Sequence, residues 1–425
     1  MQLIYFFTSI RFHIYPTWGV FVVYLVIDSS SFLTQFRYVI QVITNNNDIN
    51  SFLEKNVFPT FTQSVEHMEW LKSQGDETGY CGVYNNSATS EGKKLKSLCG
   101  FSIVKAKRGK CLQIQHGPLV SGDDTDIIRQ YLEFLTNIAK QHRCDFVRIN
   151  PIIGSAKNTT NMEIKTLAIG GMQDDAGTDS IIDVFKKLKF NKTPFDNLPA
   201  ITALINLKPL HGIAQDSADT ALLSTYSKDI RKNVKKFDEY IKQNKIYIVV
   251  QGELDDSCKE LYMSVVSKNG FVPSAYKKMA DQTAHYAKSN SGRVYKAVLD
   301  TSNGDKSEGS CKTIGFLSVV DSGKYSANHH SATLVDKELL GNLNVTALLQ
   351  HFALKNALAS GQELYDLWGL SDADKVDHPW YNFSKFKRGF NGLEYSFVHG
   401  YDLPLNPKYW ITNLYERFQK SKRGY

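Results

Sequence analysis

This 425-residue chain lacks every usual metal or redox spacing. Its six cysteines, Cys81, Cys99, Cys111, Cys144, Cys258 and Cys311, stand at least twelve residues apart and form no CxxC, which excludes zinc ribbons and dithiol redox motifs. The eleven histidines include no HExxH or HxxxH. Adjacent His329 and His330 face opposite sides of an ideal strand, so no metal site is expected. Scattered thiols in a chain this long read as reduced, which fits the cytoplasm better than secretion. A long apolar span is missing too. The most apolar stretch, Ile14–Ile27, has fourteen residues, against about 20 for a bilayer crossing, and no small-residue cleavage site follows it. It reads as a weak signal anchor, a peripheral contact at the inner face of the membrane, or an upstream extension without a structural role; the third is preferred. Charge is not one-sided, with 50 Lys and Arg against 43 Asp and Glu and a net charge of +7. So modest an excess suits a lysine-rich surface. Apolar residues at 42% and charged residues at 22% exclude collagenous, coiled-coil and disordered classes. The length leaves room for two or three domains of roughly 100–200 residues.

What is present is a repeated order of elements. Leu98–Lys105 reads as a strand, Cys111–Val120 as a second, Asp124–Arg143 as a helix and Asp145–Pro151 as a third strand. The helix rests on Ile127, Ile128, Tyr131, Leu132, Leu135, Ile138 and Ala139 at helical spacing, with Asp124 or Thr125 as cap. The order recurs as strand Lys312–Val320, strand Lys324–Leu334, helix Asn344–Ser360 ended by Gly361, and strand Glu363–Leu370. His116 lies 32 residues before Arg148, and His330 lies 36 before Asp366. Two tandem copies of one α/β unit follow from this. Between them, Thr202–Leu207 reads as an edge strand and Ser217–Lys242 as one long polar helix. That helix carries Lys228, Arg231, Lys232, Lys235 and Lys236, either as a solvated face or as a phosphate-binding one. Ser155–Thr160, Asp174–Ser180 and Asn303–Ser310 read as loops or turns.

The stretch Gly361–Gly400 is the expected active site. It combines the apolar strand with SKFKRGF (Ser384–Phe390), read as a turn that sets three cations among two phenylalanines. Such a segment suits a substrate carrying phosphates and flat groups.

Four pieces in order, YDLWG (Tyr365–Gly369), HPW (His378–Trp380), FKRGF (Phe386–Phe390) and YDLPLNP (Tyr401–Pro407), resemble the carboxy-terminal signature of the FemABX peptidoglycan aminoacyltransferases. Thr62-Gln63-Ser64, HGP at His116–Pro118, RINP at Arg148–Pro151 and the basic helix SKDIRKNVKK (Ser227–Lys236) extend the resemblance over about residues 50–418. His116 and Asn150 stand where the family tends to carry arginine and an acidic residue. The resemblance implies an α/β fold of two GNAT-like domains with mixed sheets flanked by helices: an extension over 1–45, a first domain over 46–207 joined by 401–425, and a second over 208–400. It further implies transfer of an aminoacyl group from aminoacyl-tRNA to an amine of a nucleotide- or lipid-linked peptidoglycan precursor, without a cofactor.

An amine attacking an ester needs oxyanion stabilisation and aligned reactants. No Ser-His-Asp or Cys-His spacing is found, which favours direct transfer over an acyl-enzyme. Following the resemblance, Lys387 is the expected catalytic cation. Asp366 either takes a proton from the amine or fixes a loop. Phe386 would stack on the terminal adenosine for about 1–3 kcal/mol, with Arg388 beside it. Arg231 and Lys235, four apart on one helical face, suit donor phosphates. Arg148 and Lys72 suit the precursor's diphosphate or carboxylates, with Tyr276 and His330 lining the acceptor groove. Two rivals remain. An acyl-CoA-dependent N-acyltransferase is disfavoured by the missing glycine-rich turn before a helix, and a non-catalytic nucleic-acid-binding protein would leave the Tyr365–Phe390 pieces unused.

Overall fold

In the computed structural model of the chain, the helix read from Asp124–Arg143 forms over Thr125–Gln141, and the Asp124 carboxylate accepts from the Ile127 amide at 3.1 Å. Its partner in the repeat, Val345–Ala359, is capped by Asn344, which accepts from the Ala347 amide at 3.2 Å. Gly361 follows it at φ +79°, a conformation that glycine adopts without a Cβ clash. The structure describes residues 13–14, 23–24, 39–84, 94–106, 109–120, 124–157, 169–194, 196–243, 245–269, 276–302, 311–341, 343–372 and 376–423. The chain divides into two units, 1–39 and 40–425. In the first, His13–Ile14 pairs antiparallel with Val23–Tyr24. The rest of the apolar run Ile14–Ile27 lies outside the described residues, as do residues 158–160 and Asn303–Ser310.

Residues 40–425 form an α/β fold of two mixed sheets flanked by helices. In the first sheet Leu95–Ala106 and Gly109–Gln115 form a hairpin, the helix Thr125–Gln141 crosses over, and Phe146–Asn150 returns parallel to the second hairpin strand. In the second, Cys311–Ser322 and Tyr325–Thr333 form the hairpin, Val345–Ala359 crosses, and Leu364–Gly369 returns parallel. The repeat is therefore one of strand direction as well as order. Each returning strand is then covered by a strand from far along the chain. Tyr401–Pro404 pairs antiparallel with Phe146–Asn150, and Ile201–Asn206 pairs antiparallel with Leu364–Gly369.

This exchange corrects the edge-strand reading of Thr202–Leu207. Ile201–Asn206 is bonded on its other side to Leu393–Phe397 and sits inside the eight-stranded sheet. Four further readings change. Asp174–Ser180 is not a loop: Asp174 caps a helix over Asp175–Lys187, whose Ile181, Val184 and Phe185 are buried. The long polar helix is two, Gln215–Thr225 and Lys228–Lys242, because Tyr226 is extended and the Ser227 hydroxyl accepts from the Ile230 amide to start the second. Gly154–Lys157 is a strand, and the basic turn is a helix, Tyr381–Arg388.

Arg148 also departs from its expected role. It is buried, and its guanidinium donates to both oxygens of Asp402 at 2.8 and 2.7 Å and both of Glu416 at 2.9 and 2.7 Å. Four of its five N–H donors are taken by these two carboxylates, and the arginine ties the helix Tyr409–Arg423 to the first sheet. Removing one partner of a buried pair leaves an uncompensated charge, so Arg148→Met is expected to cost about 3–5 kcal/mol. Denaturant unfolding checks this, and a cost below about 1 kcal/mol would mean that the triad does not hold the segment.

Candidate active site

The site is built on an irregularity in the strand Leu364–Gly369. Thr202 pairs with Gly369 and Leu204 with Asp366, so one residue of the partner strand faces two here. That is a β-bulge. Trp368 absorbs it at φ +64°, a left-handed conformation costly for a bulky side chain. Two contacts hold it there: the Trp368 amide donates to Asp366 Oδ1 at 2.6 Å, and its ring stacks on Phe61 with centroids 5.3 Å apart.

Asp366 is buried. Besides the Trp368 amide its carboxylate accepts from the hydroxyls of Thr202 and Tyr325, the latter at 2.7 Å. Burial pushes its pKa up to about 6, because a carboxylate removed from water loses solvation that the three donors only partly replace.

Lys387, on the helix Tyr381–Arg388, reaches back to the bulge. Its Nζ donates to the carbonyls of Trp368 at 3.2 Å and Gly369 at 3.0 Å and lies 4.1 Å from the ring centre of Phe383, four residues earlier. It is 5% exposed, and burial lowers its pKa to about 7 against the attraction of Asp366. Two carbonyls occupy two of the three donors of an ammonium. The third has no acceptor among the described residues, and the lysine lines a cavity.

These groups border a cavity of about 310 Å³ lined also by Pro199, Leu317, His329, His330, Trp380 and Phe386. The opposite wall has its own bulge. Ser318 pairs with His330 and Val319 with Asn328, leaving His329 extra. The two imidazoles therefore meet with centroids 3.9 Å apart instead of facing opposite ways. Burial lowers both, His330 to about 4, so each ring is neutral at pH 7. His329 Nδ1 and His330 Nε2 are buried without a hydrogen-bond partner among the described residues.

Of the expected site residues, Lys387, Phe386 and His330 line the cavity and Asp366 stands behind the bulge. Arg388 is adjacent but engaged: it pairs with Glu394 at 2.8 Å and donates to the Ser371 carbonyl at 2.7 Å, fixing the lysine-bearing helix rather than facing a donor. Arg231 and Lys235 lie on the helix Lys228–Lys242, whose cap Ser227 donates its amide to the Gly389 carbonyl at 2.8 Å. The basic helix thus begins where the lysine-bearing one ends. Lys72 is exposed and does not line the cavity. Tyr276 donates to the Asp255 carbonyl at 2.9 Å and packs on Tyr262. Thr202, Tyr325 and Phe383 were missed. Only Phe383 carried a sequence signal, its four-residue spacing from Lys387.

Residues 44–243 match the FemAB family. That match covers 200 of the 425 residues, and over it the chain is similar to the family. Aminoacyltransferase FemA of Staphylococcus aureus is 24% identical over 149 residues, 35% of this chain. The alignment spans about a third (32%) of FemA's own length. The crystal structure of FemX superposes with a TM-score of 0.67 at 13% identity, covering 89% of this chain and all of that one, so the Fem fold is shared. The FemAB match stops short of Asp366 and Lys387, whose roles therefore rest on geometry.

A buried lysine with a lowered pKa costs stability at neutral pH, since the unfolded chain binds a proton there that the folded one binds weakly. Lys387→Met is therefore expected to raise the unfolding midpoint at pH 6 and to lose that advantage as pH climbs from about 7 towards 10. Thermal melts across that range check it; a destabilised variant at pH 6 would contradict the assigned environment.

Proposed function

We propose that this chain is an aminoacyltransferase that moves an amino acid from aminoacyl-tRNA to the stem-peptide amine of a peptidoglycan precursor, at the cavity beside Lys387. The observation that carries the reading is the lysine itself: near-neutral, held by two bulge carbonyls, lining a cavity, and with no acceptor for its third N–H among the described residues. In the reaction the amine nitrogen attacks the ester carbonyl, a carbon–nitrogen bond forms, and the bond to the ribose oxygen breaks. That oxygen leaves with the proton the amine gives up. Charged, Lys387 donates its third N–H to the oxyanion. Asp366 keeps it charged and holds the bulge that aims it. Phe386, Trp380 and Phe383 offer aromatic faces for the terminal base, and the basic helix with Arg231 and Lys235 lies along the approach for donor phosphates. Both substrates are cytoplasmic, which is where we place the reaction. We propose 46–207 with 401–425, and 208–400, as its two GNAT-like domains, with interlocked sheets.

Purified protein given charged tRNAs and the muramyl pentapeptide precursor, nucleotide- or lipid-linked, is expected to transfer label to one acceptor. Lys387→Met is expected to lower this by about 100–1,000-fold, the usual cost of losing an oxyanion donor. Activity with coenzyme A thioesters and none with any charged tRNA would replace this reading by an N-acyltransferase; tRNA binding with no transfer at all would leave a binding protein. The pH profile gives a second check. Below about pH 6 Asp366 takes up a proton and its negative charge is lost; above about pH 7 Lys387 loses its own. The active ionic pair is confined between these limbs. Asp366→Asn is expected to abolish the acid limb, and an unchanged limb in that variant would assign it to another group.

A further inference from the structure

The C-terminal helix Tyr409–Arg423 is built with its polarity reversed. Its inward face is polar. Asn413 is buried and donates to the Tyr409 hydroxyl at 2.8 Å, Glu416 is held by Arg148, and Lys420 donates to the Pro194 carbonyl at 3.0 Å. Facing outward are Trp410 at 56% exposure, Ile411 at 63%, Leu414 at 72%, Tyr415 at 38% and Phe418 at 64%. At 100° per residue these five fall within an arc of about 140°, opposite positions 409, 413, 416 and 420. A helix packed on a water-soluble domain normally does the reverse. Beside these polar anchors the buried Tyr409 packs on Phe146 and its ring meets that of Trp410; Ile411, Leu414 and Phe418 are each more than 60% exposed, and a contiguous apolar surface of this kind marks a contact.

Charge identifies the partner. Exposed Lys408 and Arg417 flank the stripe, and Lys422 and Arg423 follow in the sequence. The one acid between 408 and 425 is Glu416, turned inward onto Arg148. Tryptophan and tyrosine beside aliphatic residues, edged by cations, is the composition of a helix lying in a membrane interface. A second copy of the chain is a poorer fit, because five side chains on one helix fall well short of the roughly 20–30 residues a side of a stable dimer. We propose that Tyr409–Arg423 is an interfacial helix that docks the protein on an anionic bilayer, apolar stripe down and cations among the headgroups. No described helix is long and apolar enough to cross a membrane; this one would lie along it.

The test needs no substrate and stands apart from the transfer reaction. Full-length protein is floated with vesicles of phosphatidylcholine alone and of phosphatidylcholine mixed with phosphatidylglycerol. The expected result is partition to the anionic vesicles that weakens with salt and falls at least about tenfold in the double variant Leu414→Glu, Phe418→Glu. The thermal midpoint should not move, since both positions are exposed. Brominated acyl chains should quench tryptophan fluorescence in the wild type and less so in Trp410→Phe. Partition retained by the double variant would place the contact elsewhere and overturn the proposal. So would a wild-type dimer that the same substitutions dissociate, with no vesicle binding.

Discussion

The extra residue in the strand Leu364–Gly369 is the constraint on which the candidate site depends. A regular strand would bond its carbonyls to the neighbouring strand and bring nothing to Lys387. The bulge turns Trp368 to φ +64° and presents its carbonyl and that of Gly369 to the lysine. A non-glycine residue held there costs about 1–3 kcal/mol. That cost is offset locally by the Asp366 carboxylate, which accepts the Trp368 amide while two hydroxyls steady it from either side, and by the stacking of Trp368 on Phe61. Asp366 and Lys387 are thus one device. The carboxylate shapes the backbone that holds the amine, and its charge opposes the desolvation that would strip the amine of its proton.

The two sheets serve this device through the exchange of strands. Thr202 reaches Asp366 because Ile201–Asn206, which comes before the second copy of the repeat in sequence, is inserted beside that copy's returning strand. The reciprocal insertion, Tyr401–Pro404, carries Asp402 to Arg148 and so brings the last helix onto the first sheet. The same buried arginine therefore fixes which face of that helix is left outward.

What the sequence made legible is what depends on neighbours within about twenty residues. Helical spacing and caps placed Thr125–Gln141 and Val345–Ala359, and the order of elements showed the duplication. Central and edge strands differ only by partners far along the chain, so Thr202–Leu207 was misplaced: its partner Asp366 is 164 residues away. Asp174–Ser180 looks like a loop in composition; the helix there is fixed by a cap and three buried apolar residues just beyond the window. Arg148 was read as a ligand group because its carboxylates lie 254 and 268 residues on. The site was half legible. Cations among aromatics at Ser384–Phe390 pointed to the segment and the family resemblance singled out Lys387 within it, but neither bulge could be read, and with them went Trp368's backbone and the meeting of His329 with His330.

The central claim is that Lys387 is a buried amine poised near neutrality. The direct measurement is its own titration, followed by NMR of the lysine Cε carbon in ¹³C-labelled protein, with Lys387→Met assigning the resonance. A midpoint near 7 is the predicted result. A midpoint near the ordinary lysine value of about 10.4 would mean that the amine is solvated and that the bulge does not hold it as described.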